Sequence, residues 1–285
     1  MQLSDLSAWI EAQQDGFTAR LAELVNLNTF TENIHGVDHA MDVFCRWAQD
    51  FGFAVEVING RHRLIRASHR PAEATPILLI AHMDTVHPPE AGFLEYEPQA
   101  DGFVRGPGVG DIKGGLLMGL WTQKALSEMG VPYDVSLVVS ADEEKGSPTI
   151  QDWYLAGSNG AAYALGLEPG FPQGPLAMDT PMGVVRQRKG CGRIAFSLSG
   201  RAAHAGGDPQ NGLSAIEAMA HRVLKIQALN DHNKGITTNV GVIQGGTAAN
   251  TIPATASAEV DFRFLTQIDG EATRDTLTEI IHTTT

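Results

Sequence analysis

The 285-residue chain has little cysteine, a deficit of basic charge and no long apolar run. Its two cysteines, Cys45 and Cys191, form no Cys-x-x-Cys pair, which argues against a disulfide framework and a thiolate metal site. Lysine and arginine total 20 against 33 acidic residues, a formal net charge of -13. That balance argues against binding a nucleic-acid backbone, which rewards cations. No stretch is apolar enough for long enough to span a membrane. The opening segment 1–5 lacks the basic and apolar regions of a signal peptide, so the expected compartment is the cytoplasm. Internal repeats and low-complexity segments are also missing. What remains is 43% hydrophobic and 19% charged, a globular composition with length for two domains.

Leu6, Trp9, Ile10, Phe17, Leu21, Leu24 and Val25 recur at helical spacing over 5–26, and a second amphipathic helix covers about 36–51. The short apolar run 76–81 reads as a buried strand, as does 135–141. Further strands are expected at 53–58, 62–67 and 163–167, and a helix buried almost all round at about 114–129. Strands alternating with helices predict an α/β fold, with a mostly parallel sheet and helices on both faces, over residues 1–185. The pattern changes near 185. Arg193 to Ser199 alternates as a strand, and Asp208 with Pro209 resembles an N-cap and first-turn proline opening a helix to about 229. Strands at about 236–244 and 254–265 and a helix at about 270–282 follow. This β-α-β-β-α order is one strand short of the ferredoxin-like repeat. Residues 186–285 are therefore expected to form an incomplete α+β domain, in a chain truncated at its C-terminus.

Four segments place ionisable groups at or just past strand ends: His82 with Asp84, Asp111, Glu143 with Glu144, and Glu168. Ligands bind beyond the carboxyl ends of such strands, and residues i and i+2 of an extended chain share a face. Imidazole and carboxylates without thiolate suit zinc or a neighbouring divalent ion. Converging carboxylates repel unless a cation neutralises them. Asp84 fits an orienting partner of the His82 ring better than a ligand. Of the adjacent Glu143 and Glu144, one can bind metal while the other takes a proton from water. Taken singly, each piece has an ordinary reading as a structural histidine or a solvated turn; their recurrence points to a metal. The Gly106–Gly110 loop lacks G-x-G-x-x-G spacing, and Asp111 would repel a pyrophosphate.

These segments resemble the co-catalytic di-zinc family of aminoacylases, glutamate carboxypeptidases, acetylornithine deacetylases and succinyl-diaminopimelate desuccinylases. The matching motifs are His82-Met-Asp84-Thr-Val, Gly110-Asp111-Ile-Lys-Gly-Gly115, Asp142-Glu143-Glu144-x-Gly146 and Gly166-Leu-Glu168-Pro. Two more follow: Arg201-Ala-Ala-His204-Ala-Gly with Gly212-Leu-Ser-Ala-Ile216, and Asn250-Thr-Ile-Pro253 with Asp261-Phe-Arg263. The resemblance implies that His82 and Glu168 bind one zinc, Glu144 binds the other and Asp111 bridges both. It implies that Glu143 is the general base, that Asp84 supports His82 and that the peptide after Asp111 is cis. It further implies that residues 186–285 are a lid and dimerisation domain. His204 would polarise the scissile carbonyl in the partner subunit's site, while Asn250 and Arg263 grip the substrate, Arg263 being suited to bidentate binding of its carboxylate.

The implied activity is hydrolysis of an amide bond next to a free carboxylate by a homodimer with two zinc ions per complete site, cobalt or manganese being alternatives. Family members continue past this chain's end and supply a second zinc-binding histidine. His282, in the last predicted helix, does not match it. The fragment is therefore expected to be impaired, with the His82 position the better metal site. The competing expectation is a non-catalytic dimerising or binding protein that keeps the fold. Hydrolysis of a non-peptide bond fits the metals but explains Asn250 and Arg263 poorly.

Overall fold

Short apolar runs separated by amphipathic segments assemble, in the computed structural model, into a five-stranded sheet packed against helices. Residues 3–67, 70–156, 160–175, 177 and 180–283 are described. The chain divides into two units, Met1–Gly183 and Val184–Thr285.

In the first unit the elements are α1 (Leu3–Val25), α2 (Ile34–Asp50), β1 (Phe53–Ile58), β2 (His62–Ala67), β3 (Pro76–His82), α3 (Gly114–Glu128), β4 (Asp134–Ser140), α4 (Gln151–Leu155) and β5 (Tyr163–Gly166). The sheet order is β1-β2-β4-β3-β5. β3 runs parallel to β4 and β5, whereas β1–β2 and β2–β4 are antiparallel. The α/β class therefore holds with a mixed sheet in place of a mostly parallel one. The cause is local: only residues 59–61 join β1 to β2, with positive φ at Asn59 (46°) and Gly60 (84°). So short a link permits only an antiparallel pair, whereas the α3 crossover permits a parallel one.

β3 and β4 are covered on both faces. Leu79, Ala81, Leu137 and Val139 join the core beneath α1, α2 and α3. Their neighbours Leu78 and Val138 pack with Ile150 and with Trp153 and Tyr154 of α4 on the other side. Alternation along a strand divides the side chains in this way. The first two turns of α1 depart from expectation. Ile10 is 56% exposed and Met118 of α3 54%. With Leu6, Trp9, Phe17 and Trp121 they line an apolar groove of about 560 Å³. α3 is therefore not covered all round.

The second unit contains β6 (Gly190–Ser199), α5 (Ala215–Gln227), β7 (Thr237–Gly245), β8 (Thr255–Phe264) and α6 (Gln267–His282). The strands form an antiparallel sheet in the order β6-β8-β7, the order a ferredoxin-like β-α-β-β-α segment requires. α5 starts later than the Asp208–Pro209 pair suggested. Those residues open a single 3₁₀ turn that ends at the extended Gly212. The cap is Ser214, whose side chain accepts from the Glu217 amide, the Ser-x-x-Glu arrangement of a capping box. Arg222 on α5 is buried and donates to the carbonyls of Ala218, Ile281 and Thr283, tying α5 to the end of α6. Among the described residues no helix is long and apolar enough to cross a membrane.

Candidate active site

β3 ends at His82, and the chain continues extended through Asp84 beside the carboxyl end of β4. Both residues are buried. The His82 ring faces two ways. Nδ1 lies 2.9 Å from the main-chain oxygen of Asp84 and 3.4 Å from its carboxylate. Nε2 lies 3.1 Å from Asp111 Oδ1, 3.3 Å from Glu168 Oε1 and 3.7 Å from Glu143 Oε2. Glu144 joins His82 and Asp111 in one group with its ligand atoms within 4.8 Å, and Glu143 and Glu168 join His82 in another. All five first-unit ligand and base candidates thus meet at one place.

They arrive on four different segments. Asp111 sits in the irregular turn Val109–Lys113 that leads into α3, and its peptide bond to Ile112 is cis. Glu143 and Glu144 form a 3₁₀ turn just past β4. Gly146 closes that turn with φ 88°, a conformation that favours glycine. Glu168 follows β5, whose neighbour Leu167 donates its amide to Ile80 of β3.

Asp84 does more than face His82. Its Oδ1 accepts from the Glu143 amide at 3.0 Å, and its Oδ2 accepts from the Glu144 amide at 3.2 Å and from Thr31 Oγ1 at 2.9 Å. It therefore orients the turn carrying both glutamates, and the His82 ring is held mainly by the Asp84 main chain. Burial opposes ionisation of Asp84, but the bonds to His82, Thr31 and the Glu144 amide hold its pKa below the usual range.

Burial also opposes charge on His82, yet hydrogen bonding to Asp111, Asp84 and Glu168 outweighs it, and the ring's pKa is pushed up to about 12. The Asp111 carboxyl is held low by His82. Burial raises Glu143, with Glu168, Asp84 and Asp111 adding to the rise against His82. Burial and Asp111 push Glu144 up to about 6. A ring so strongly basic, surrounded by carboxylates, marks a place that demands positive charge at Nε2. A divalent metal meets that demand as a proton does. The nitrogen and oxygen donors fit a hard or borderline cation.

In the second unit, His204 and Asn250 are neighbours. A two-residue ladder pairs Ala203 with Ile252 and His204 with Thr251, and the Ala205 amide donates to the Asn250 carbonyl at 2.9 Å. Nδ1 of His204 accepts from the amides of Gly206 (3.1 Å) and Gly207 (2.9 Å). A ring nitrogen that accepts carries no proton, so this exposed ring presents an Nε2–H donor. Arg263 is held separately, on β8. Its fork is already bidentate to Asp261, Nε to Oδ1 at 2.8 Å and Nη2 to Oδ2 at 2.9 Å. A substrate carboxylate at Arg263 would share the guanidinium with Asp261 or displace it.

Residues 186–285 match the family described as a peptidase dimerisation domain. Carboxypeptidase G2 of Pseudomonas sp. (strain RS-16) is 30% identical over 280 residues, covering 94% of this chain and 64% of that protein. The chain is thus similar to M20 peptidases through this dimerisation domain, and to a carboxypeptidase along most of its length. Acetylornithine deacetylase of Proteus mirabilis is 25% identical over 264 residues, covering 86% of this chain and 64% of that protein. The chain thus spans just under two thirds of these relatives. Two solved structures share the M20 fold: an aminopeptidase from Bacillus cereus (TM-score 0.71, 21% identity, 94% of this chain and 71% of that one) and an M20 family metallo-carboxypeptidase from Sulfolobus solfataricus (TM-score 0.69, 16% identity, 93% and 75%).

Sequence reasoning missed several residues in and around this candidate site. Thr31 meets Asp84 across 53 positions, with no local signal to reveal it. Lys113, inside the Asp111 motif, is fully buried; its Nζ donates to the Leu27 carbonyl at 3.0 Å, and burial pushes its pKa down to about 7. The Arg/His-rich start of β2 hides a third, His62, whose alternation with the buried Leu64 was the available sign.

Proposed function

We propose that this chain carries the metal-dependent active site of a hydrolase that cleaves an amide bond next to a free carboxylate, as in an N-acyl amino acid or small peptide. One observation carries the reading: His82 Nε2 is ringed by the carboxylates of Asp111, Glu168 and Glu143 at 3.1–3.7 Å, at the carboxyl end of a parallel strand pair. The names of the relatives, a carboxypeptidase and a deacetylase, support the same bond class. His82, Asp111 and Glu168 would hold one metal and Asp111 with Glu144 the other, zinc being the proposed ion and cobalt or manganese the alternatives. When bound, such metals lower the pKa of a water and polarise a carbonyl.

The chain's own residues do the rest. Glu143, its pKa raised by burial and like charge, accepts the proton of the attacking water and delivers it to the leaving amine nitrogen. His204 would act in the partner subunit's site, donating from Nε2 to the carbonyl oxygen as negative charge develops there, a role worth about 3 kcal/mol where single donors have been removed from such sites. Asn250 and Arg263 bind the substrate carboxylate, with Asp261 orienting the guanidinium. In this proposal residues 1–185 belong to the catalytic domain and residues 186–285 to the lid and homodimerisation domain of a cytoplasmic enzyme.

Glu143→Gln removes the base and keeps the shape. Turnover of a panel of N-acetyl amino acids and folyl-glutamate-like amides, with added zinc, should drop by about 10²–10⁴ with zinc content unchanged. Near-full activity in that variant would exclude Glu143 as the base.

A further inference from the structure

His62 is a buried titratable group that the proposed chemistry does not use. It opens β2 and is fully buried. Its Nδ1 accepts from the Ala141 amide at 3.1 Å, which places the ring hydrogen on Nε2. Nε2 lies 2.8 Å from Thr149 Oγ1 and donates to it. The Thr149 hydroxyl donates in turn to Asp142 Oδ2 at 2.6 Å, and the Thr149 amide reaches the same oxygen at 3.2 Å. Every donor in this chain has one direction open to it. Burial lowers the pKa of His62, in keeping with a neutral ring that accepts at one nitrogen and donates at the other.

These hydrogen bonds start on the Ala141 amide and end on the Asp142 side chain, so they close a ring around the Ala141–Asp142 peptide unit, one residue before Glu143. Asp142 is 7% exposed, and its Oδ1 is buried without a hydrogen-bond partner among the described residues. Its main-chain oxygen accepts from the amides of Lys145 (3.2 Å) and Ser147 (3.0 Å), while its side chain is held through Oδ2 by Thr149. Asp84 grips the next two amides from the opposite side.

We propose that His62 and Thr149 are positioning residues for Glu143 and Glu144, fixing the backbone from which the base and the metal-binding carboxylate project. This rests on the roles given to those glutamates above. Neither residue is among the proposed metal ligands or substrate contacts; His62 acts through the Ala141 amide and Thr149 through the Asp142 carboxylate.

Thr149→Val keeps the side chain's shape and removes the hydroxyl, while Thr149→Ser keeps the hydroxyl. Removing a partner that orients metal ligands typically weakens binding by tenfold or more. Zinc affinity of the 285-residue chain, measured by competition with a chromophoric chelator, should therefore fall about tenfold or more in Thr149→Val and stay within about threefold in Thr149→Ser. Nitrogen-15 spectra of histidine-labelled protein should show His62 as the Nε2–H tautomer in the wild type and in Thr149→Ser, and should lose that single form in Thr149→Val. A merely structural role would lower the melting temperature of Thr149→Val and leave the zinc affinity of the folded protein unmoved. Unchanged affinity in Thr149→Val, or a wild-type His62 with its proton on Nδ1, would overturn the proposal. Glu144→Gln separates this from the reading beneath it. Affinity that ignores Glu144→Gln contradicts the metal assignment itself; affinity that falls there and not in Thr149→Val contradicts only the positioning role.

Discussion

Asp84 commits both carboxylate oxygens to neighbours: Oδ1 to the Glu143 amide, Oδ2 to the Glu144 amide and the Thr31 hydroxyl. A buried carboxylate satisfied in this way rigidifies what it touches, because each lost bond would leave a charge uncompensated. His62 plays the matching part with a neutral ring, which gives it a pH signature. Its pKa is lowered in the fold from 6.5, chiefly by burial. As pH falls through that value the unfolded chain takes up a proton that the folded chain refuses. Stability attributable to His62 is therefore full above pH 6.5 and lost as pH drops below it. Urea unfolding between about pH 7.5 and 5.5 should show the wild type losing up to about 1.4 kcal/mol per pH unit more than His62→Gln. Parallel curves would contradict a neutral, buried His62. Among the candidate site residues, His82, Glu143, Glu144 and Glu168 stood out because they follow apolar runs, and Asp111 because it follows a glycine-rich loop at a helix entrance. Thr31 and Thr149 did not, since no local pattern marks their bonds to Asp84 and Asp142, and His62 left only its alternation with the buried Leu64 as a sign.

At the scale of elements, α3 approaches β5 so closely that Gly115 leaves no room for a side chain. A Cβ there would stand 2.2 Å from the Leu167 carbonyl oxygen and 2.9 Å from Ile112 Cγ1. Helix propensity alone favours alanine over glycine by about 0.5–1 kcal/mol. Overpacking costs about 1–3 kcal/mol and here meets backbone, so it should win. Gly115→Ala is expected to lower the unfolding free energy in a urea titration, and to weaken zinc binding by shifting the chain at Glu168. A more stable variant would show that the two elements sit farther apart. Most elements could be read from periodicity: α2, β3, β4 and β8 fall within two residues of their expected bounds. The failures have local causes. The antiparallel β1–β2 pair was fixed by a three-residue link whose geometry the strand pattern does not encode. The start of α5 turned on Gly212 and Ser214, which outweighed the Asp208–Pro209 signal.

At the scale of the whole molecule, the net charge of -13 gathers partly into one acidic cluster around a single imidazole. Such a cluster calls for a cation, and metal must compete there with the proton that His82 holds so strongly, so zinc affinity should fall as pH falls. The order of strands and helices revealed an α/β unit followed by a β-α-β-β-α unit, because period and turn chemistry change near residue 185. How far β2 would contribute to the site was hidden, since that depends on sheet order and not on sequence order. The central claim is that His82, Asp111 and Glu168 hold a metal. Anomalous diffraction at the zinc edge from zinc-soaked crystals of this chain tests it most directly. The predicted result is a peak within bonding distance of His82 Nε2 and of oxygens from Asp111 and Glu168. A zinc-replete crystal with no peak there, and His82 Nε2 still bonded to Asp111, would contradict it.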